Sequence, residues 1–156
     1  MANVLGEFEV TVDAKGRFMI PTGFKKQLTE AEGAKFVLNR SFEKCLTLYT
    51  MEQWKKVESV VMKLNDFNKK ARMFKRAFLN GATFLEPDAA GRLLIPKKML
   101  EYAGITKDMM FNALIDKVEL WDADSHNEET AGYNEDMDSI ESEGLGGEFM
   151  NPFDGI

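Results

Sequence analysis

The chain is poor in the residues that most enzyme chemistry needs. In 156 residues it holds one cysteine, Cys45, and one histidine, His126. A single thiol cannot form an internal disulfide, and Cys45 opens the strand-like stretch CLTLY (45–49), where a thiol reads as a small buried hydrophobe. With one histidine, placed in an acidic stretch, neither a Ser-His or Cys-His triad nor a His-rich metal site has its raw material. No catalytic residue, metal or cofactor is therefore expected. Apolar runs fall far short of the roughly 20 residues that cross a bilayer, and the opening MANVLGEFEV lacks the basic-then-apolar layout of a signal peptide. The expectation is a soluble cytoplasmic protein with no membrane partner and no small-molecule substrate.

What is present is a core-forming composition, 44% hydrophobic, enough for one domain or two small ones. The net charge of −6 argues against a polyanionic partner until its distribution is read. Residues 1–121 carry all 20 Lys and Arg against 15 acids, a net of +5, while residues 122–156 carry 11 acids and no base. A mildly basic body thus precedes an acidic tail.

The body says nearly the same phrase twice, VDAKGRFMIP at 12–21 and PDAAGRLLIP at 87–96. An offset of 75 aligns Asp13 with Asp88, Gly16 with Gly91, Arg17 with Arg92 and Pro21 with Pro96. A later echo, CLTLY at 45–49 against KVELW at 117–121, aligns at 72, so two copies of one unit flank a middle segment. In the first copy Phe8, Val10 and Val12 alternate with polar residues, the period of a half-buried strand. DAKG supplies a turn, with Gly16 tolerating a positive φ, and RFMI reads as a returning strand, so each phrase becomes a hairpin tip. Thr22 is the expected N-cap of a short helix, and KFVLNR with CLTLY reads as a hairpin. The second copy repeats the order, its helix KKMLEYAG closed by Gly104 and its last two strands joined across Asp116.

Residues 51–79 contain no Pro or Gly, and two helices are expected, about 51–64 and 66–79, broken near Asn65 and Asp66. On the second, Phe67, Ala71, Phe74 and Phe78 share a core face while Lys69, Arg72 and Arg76 fall opposite. After Trp121 the chain loses periodicity. It reads as mostly disordered, with a helical turn or two at its start.

Asp13 and Asp88 are the only carboxylates the repeat could pair for acid/base work. Each reads better as a turn residue bonding nearby backbone N–H groups, or pairing with the Arg four positions on. Arg17 and Arg92 each follow a turn glycine and can project from a tip, with Lys15 adding charge to the first tip and Ala90 none to the second. With Lys15 they form a bivalent cationic device, supported by Asp13, Gly16, Asp88 and Gly91. Lys69, Arg72 and Arg76 read either as a solvated helix face or as secondary phosphate contacts.

These residues, the doubled D-x-x-G-R-x-x-I-P phrase with VELWD (118–122) closing the body, resemble the MraZ family of bacterial transcriptional regulators, which have two SpoVT/AbrB-type halves. The resemblance covers about residues 4–125 and stops short of the tail. It implies an α+β fold of two pseudo-twofold-related β-α-β halves, AbrB-like with swapped hairpins, forming a small barrel. Half 1 would span 4–50, a helical connector 51–79 and half 2 80–124, followed by a disordered acidic tail, 125–156. It further implies a ring-shaped homo-oligomer that binds double-stranded DNA at short promoter repeats upstream of the division and cell wall gene cluster, in the cytoplasm on the nucleoid. The family's DNA-facing D-x-x-x-R motif maps onto Asp13 with Arg17 and Asp88 with Arg92, with Lys15 inside the first copy, so the resemblance implies that Lys15, Arg17 and Arg92 are the DNA contacts. A competing reading is an AbrB-fold antitoxin or protein-interaction module whose acidic tail binds a basic partner, anchored by Leu145, Phe149, Met150 and Phe153. Duplication within one chain and the helical insert between the copies favour the regulator; a neighbouring toxin gene would favour the antitoxin.

Overall fold

The computed structural model describes residues 3–131 and 133. Among the described residues eight strands and five α-helices follow in order: β1 (Val4–Thr11), β2 (Arg17–Met19), α1 (Thr22–Lys25), β3 (Phe36–Arg40), β4 (Leu46–Thr50), α2 (Met51–Met62), α3 (Lys69–Asn80), β5 (Thr83–Leu85), β6 (Arg92–Leu94), α4 (Lys97–Ala103), β7 (Asp108–Ile115), β8 (Val118–Asp122) and α5 (Ala123–Thr130). Six strands form an antiparallel sheet in the order β1-β7-β8-β4-β3-β5, and β2 and β6 form a separate two-stranded ribbon. If the strands of the two copies are exchanged, β1 for β5, β3 for β7 and β4 for β8, that order reads the same backwards. The sequence repeat is thus a repeat of topology.

The hairpins β3–β4 and β7–β8 form where expected, the first with Leu38 opposite Leu48, the second with Phe111 opposite Leu120. The first two strands of each copy do not form a hairpin ladder. β1 pairs along its whole length with β7 of the other copy, Val4 opposite Ile115 through Thr11 opposite Asp108, and β2 pairs with β6. Strand alternation specifies which face is buried but not which strand lies alongside, so the crosswise partner is hidden from a local reading.

The crossing is held by aromatic packing. Phe111 of β7 meets Phe24 at 4.8 Å between ring centroids, and Phe8 and Phe18 at 6.2 Å each. All three belong to the first copy, so the core is shared. Val12, Ile20, Leu93, Ile95 and Met109 complete its centre.

Helix α2 starts with a capping box: Gln53 N–H donates to Thr50 Oγ1 at 3.2 Å and Thr50 N–H to Gln53 Oε1 at 3.0 Å. The break before α3 is longer than expected. Asn68 accepts from Ala71 N–H and caps α3, so the helix begins at Lys69 and Phe67 lies outside it, 95% exposed. This corrects the core face assigned to Phe67. No α3 residue is fully buried; Phe78 and Phe74 instead extend a stack outward from Trp54, with centroid steps of 6.0 and 5.8 Å. Pro21, not Thr22, precedes α1, and no side chain caps it. Gly104, at φ +65°, closes α4 as expected.

The chain divides at Ala123/Asp124 into two units. Helix α5 forms where the tail was expected to hold a helical turn or two. The rest of the tail, with Leu145, Phe149, Met150 and Phe153, lies outside the described residues. No helix among the described residues is long and apolar enough to cross a membrane.

Candidate nucleic-acid interface

The two copies of the repeated phrase become two turns built alike. In the first, Gly16 N–H donates to Asp13 O at 3.0 Å and Asp13 N–H to Arg17 O at 2.9 Å. Asp13 Oδ1 accepts from Lys15 N–H and Arg17 N–H, each at 2.9 Å, and Oδ2 accepts from Arg17 Nε at 2.8 Å. In the second, Asp88 Oδ1 accepts from Ala90 N–H at 3.0 Å and Arg92 N–H at 2.9 Å, and Oδ2 from Arg92 Nε at 2.9 Å. Each carboxylate therefore bonds the backbone and also holds the Arg four positions on. Among the described residues each guanidinium bonds only through its Nε–H, which leaves its four Nη–H donors available.

The bonds favour the charged carboxylate. Backbone N–H donation from Arg17, then its side chain, holds Asp13 below its ordinary pKa, and Arg92 does the same for Asp88. A depressed folded value means that this turn support is present above the unfolded carboxylate pKa and is lost as pH falls through the folded one. At neutral pH both carboxylates are charged and this support is present.

The ribbon sets where the arginines go. Arg17 lies opposite Leu94, Phe18 opposite Leu93 and Met19 opposite Arg92. Successive strand residues point to opposite faces. Phe18 and Leu93 point into the core, 1% and 0% exposed, so Arg17, Met19, Arg92 and Leu94 share the outer face. The two arginines occupy one diagonal of that face, about 7–8 Å apart at the backbone. Lys15 is exposed beside Arg17, whereas Glu7 and Glu9 line a surface groove with Met19, opposite Arg92. Lys25 lines a further groove with Asp88, Ala90 and Gly91, so each turn has a lysine near it.

The glycines differ as well. A Cβ on Gly16 (φ +90°) would lie 2.6 Å from Ile95 O, whereas on Gly91 (φ +84°) its nearest neighbour is the flexible Met19 Sδ at 3.7 Å. Gly91→Ala should cost about 1–2 kcal/mol for its left-handed backbone alone. Gly16→Ala carries that cost and a backbone clash, so urea unfolding should rank it clearly the more damaging. Equal losses would show that the close approach to Ile95 is unimportant.

The α3 cluster divides. Arg72 Nη1 donates to Asp66 O at 2.7 Å, and Lys75 Nζ pairs with Asp66 Oδ1 at 2.6 Å, so both brace the α2–α3 loop. Lys69 and Arg76 stand exposed on α3. Cys45 is buried, and burial pushes its thiol up to about 12, which keeps it protonated and unreactive. Exposed Met19 and Leu94 join the site, although sequence reasoning missed them. Their signal was in plain view, since both phrases keep a large apolar residue two positions after the Arg.

A family model described as "MraZ protein, putative antitoxin-like" matches residues 4–77 and again residues 78–143. A protein of Christiangramia forsetii named transcriptional regulator MraZ is 39% identical over 157 residues, covering 100% of this chain and 99% of its own length. Proteins of the same name from Flavobacterium psychrophilum and Cytophaga hutchinsonii are 43% identical over 125 residues and 40% over 119, each covering about four-fifths of its own length. A doubled family match, two identically built D-x-x-G-R turns, one relative of this identity along the whole chain and two along three-quarters of it or more lead to one conclusion: the chain belongs to the MraZ family.

Proposed function

We propose that this chain is a DNA-binding transcriptional regulator, acting in the cytoplasm on the nucleoid. The observation that carries the reading is the β2–β6 ribbon with an Asp-braced arginine at each end of its outer face. The major groove of B-DNA admits a two-stranded ribbon, and a guanidinium there can meet guanine O6 and N7 or a phosphate. Lys15 attracts phosphates beside Arg17, and Lys69 and Arg76, with Arg72 to a lesser degree, add backbone contacts. The relatives' names favour a regulator over a toxin-neutralising module.

One ribbon makes few contacts, and a body of net charge +5 attracts DNA weakly. Useful affinity comes from several protomers on successive promoter repeats, upstream of the division and cell wall gene cluster, where tethered contacts act at high effective concentration. We assign the chain a ring-shaped homo-oligomer, with the sheet and ribbon of each protomer as its small barrel. Exposed Phe42, Met73 and Phe74 supply apolar surface for self-association. The test is the mass in solution, with and without DNA carrying the chain's own upstream region. A multiple of the monomer mass that increases with that DNA is expected; a monomer indifferent to it would overturn the reading.

A further inference from the structure

The outer face of the ribbon carries two apolar side chains that neither the core nor the arginine turns account for. Met19 is 52% exposed and Leu94 50%. A water-facing strand position ordinarily takes a polar residue, yet both copies of the repeat place a large apolar one here. They are not core residues out of place, because Phe18 and Ile20 on either side of Met19, and Leu93 and Ile95 on either side of Leu94, are all buried.

Register decides what these side chains stand beside. Leu94 is directly opposite Arg17, and Met19 directly opposite Arg92. Each level of the ribbon therefore presents one guanidinium and one apolar group, and the two levels are related by the pseudo-symmetry of the repeat. A surface intended for phosphates alone would have no use for the apolar member. A second copy of this chain is a poorer occupant, because docking an apolar partner here would cover both arginines and their free Nη–H groups. The major-groove floor offers acceptors on guanine and one apolar group, the C5 methyl of thymine. We infer that Met19 and Leu94 are specificity-determining residues that pack against thymine methyl groups, beside the bases or phosphates engaged by Arg92 and Arg17.

The inference rests on the DNA-binding reading above, and its test separates the two. Binding of the full chain is measured by fluorescence anisotropy on two duplexes of its own upstream repeats, one natural and one with deoxyuridine replacing thymine, which removes only the C5 methyls. The natural duplex should bind more tightly, by roughly fourfold for each methyl buried. In the double variant Met19→Ala, Leu94→Ala the two duplexes should bind equally, with the salt dependence of binding unchanged because the cations remain. The exchange Met19→Leu with Leu94→Met, which keeps the apolar surface, should preserve the preference for thymine. Tight wild-type binding without thymine preference overturns this inference and leaves the regulator standing. Loss of the oligomer in the double variant overturns it in favour of a contact between copies. No binding to either duplex overturns both readings.

Discussion

Arg17→Ala weakens binding to the chain's own upstream DNA on the order of 5- to 100-fold per engaged ribbon, the range for removing one well-placed arginine from a base edge. Arg92→Ala weakens it by less. The order follows from Lys15, which adds a charge within the first turn where the second has Ala90. Truncation does more than delete a donor. Each arginine neutralises the carboxylate that shapes its turn, so either alanine leaves Asp13 or Asp88 charged and facing the DNA phosphates. Arg17→Lys restores the charge but not the planar fork, and should recover non-specific binding more fully than specific binding. Where the arginine meets a phosphate, the slope of log K against log salt becomes shallower by about 0.9 for each phosphate no longer neutralised. Both pairs are partly exposed and both turns keep their backbone bonds, so the variants should stay folded. Gel-shift titrations across salt, with circular dichroism as the folding control, decide it. Unchanged affinity in both alanine variants would remove the arginines from the interface.

The turns were legible because their chemistry is local. An Asp that accepts two backbone bonds, a glycine at positive φ and an arginine four positions after the Asp fit within five residues, so the sequence shows the device whole. The hairpins β3–β4 and β7–β8 were legible for the same reason. The pairing of β1 with β7 was not, because it joins residues about a hundred apart, and its choice over a local hairpin is made by the shared core around Phe111. Phe67 shows the opposite error. Its spacing fits the apolar face of α3, but one hydrogen bond from Ala71 to Asn68 starts the helix after it.

Ile115 was beyond local reading altogether. A β-branched residue at φ +72° is a conformation that sequence rules assign to glycine or asparagine. Here Gln53, from the helix after the first copy, donates to the Ile115 carbonyl at 3.2 Å and ties the β7–β8 turn to α2. The ribbon's outer face lay between these extremes. Both phrases spell Arg, apolar, apolar, but only the register shows that the second apolar residue faces outward beside the other copy's arginine.

Phe111→Ala should produce the largest loss of stability. The side chain is fully buried on β7, and its ring meets Phe8, Phe18 and Phe24 of the first copy. A buried Phe→Ala change costs about 3–5 kcal/mol through lost transfer energy and the cavity left behind. That is a large share of the roughly 5–15 kcal/mol holding an ordinary domain, and should lower the melting temperature by on the order of 10 °C. The loss should also be shared. β1 and β7 are paired along eight residues, and residues 1–123 form one unit, so neither copy has a core to keep when the other opens. Trp54 on α2 and Trp121 on β8 are both buried, and each can report alone in a variant with the other replaced by Phe. The two reporters should melt together in wild type and in Phe111→Ala, with both midpoints shifted equally. Met62→Ala, at a 59% exposed side chain, should shift neither by a comparable amount. If Phe111→Ala lowered the Trp121 midpoint and spared that of Trp54, the copies would be separate domains and the shared core would carry little of the fold.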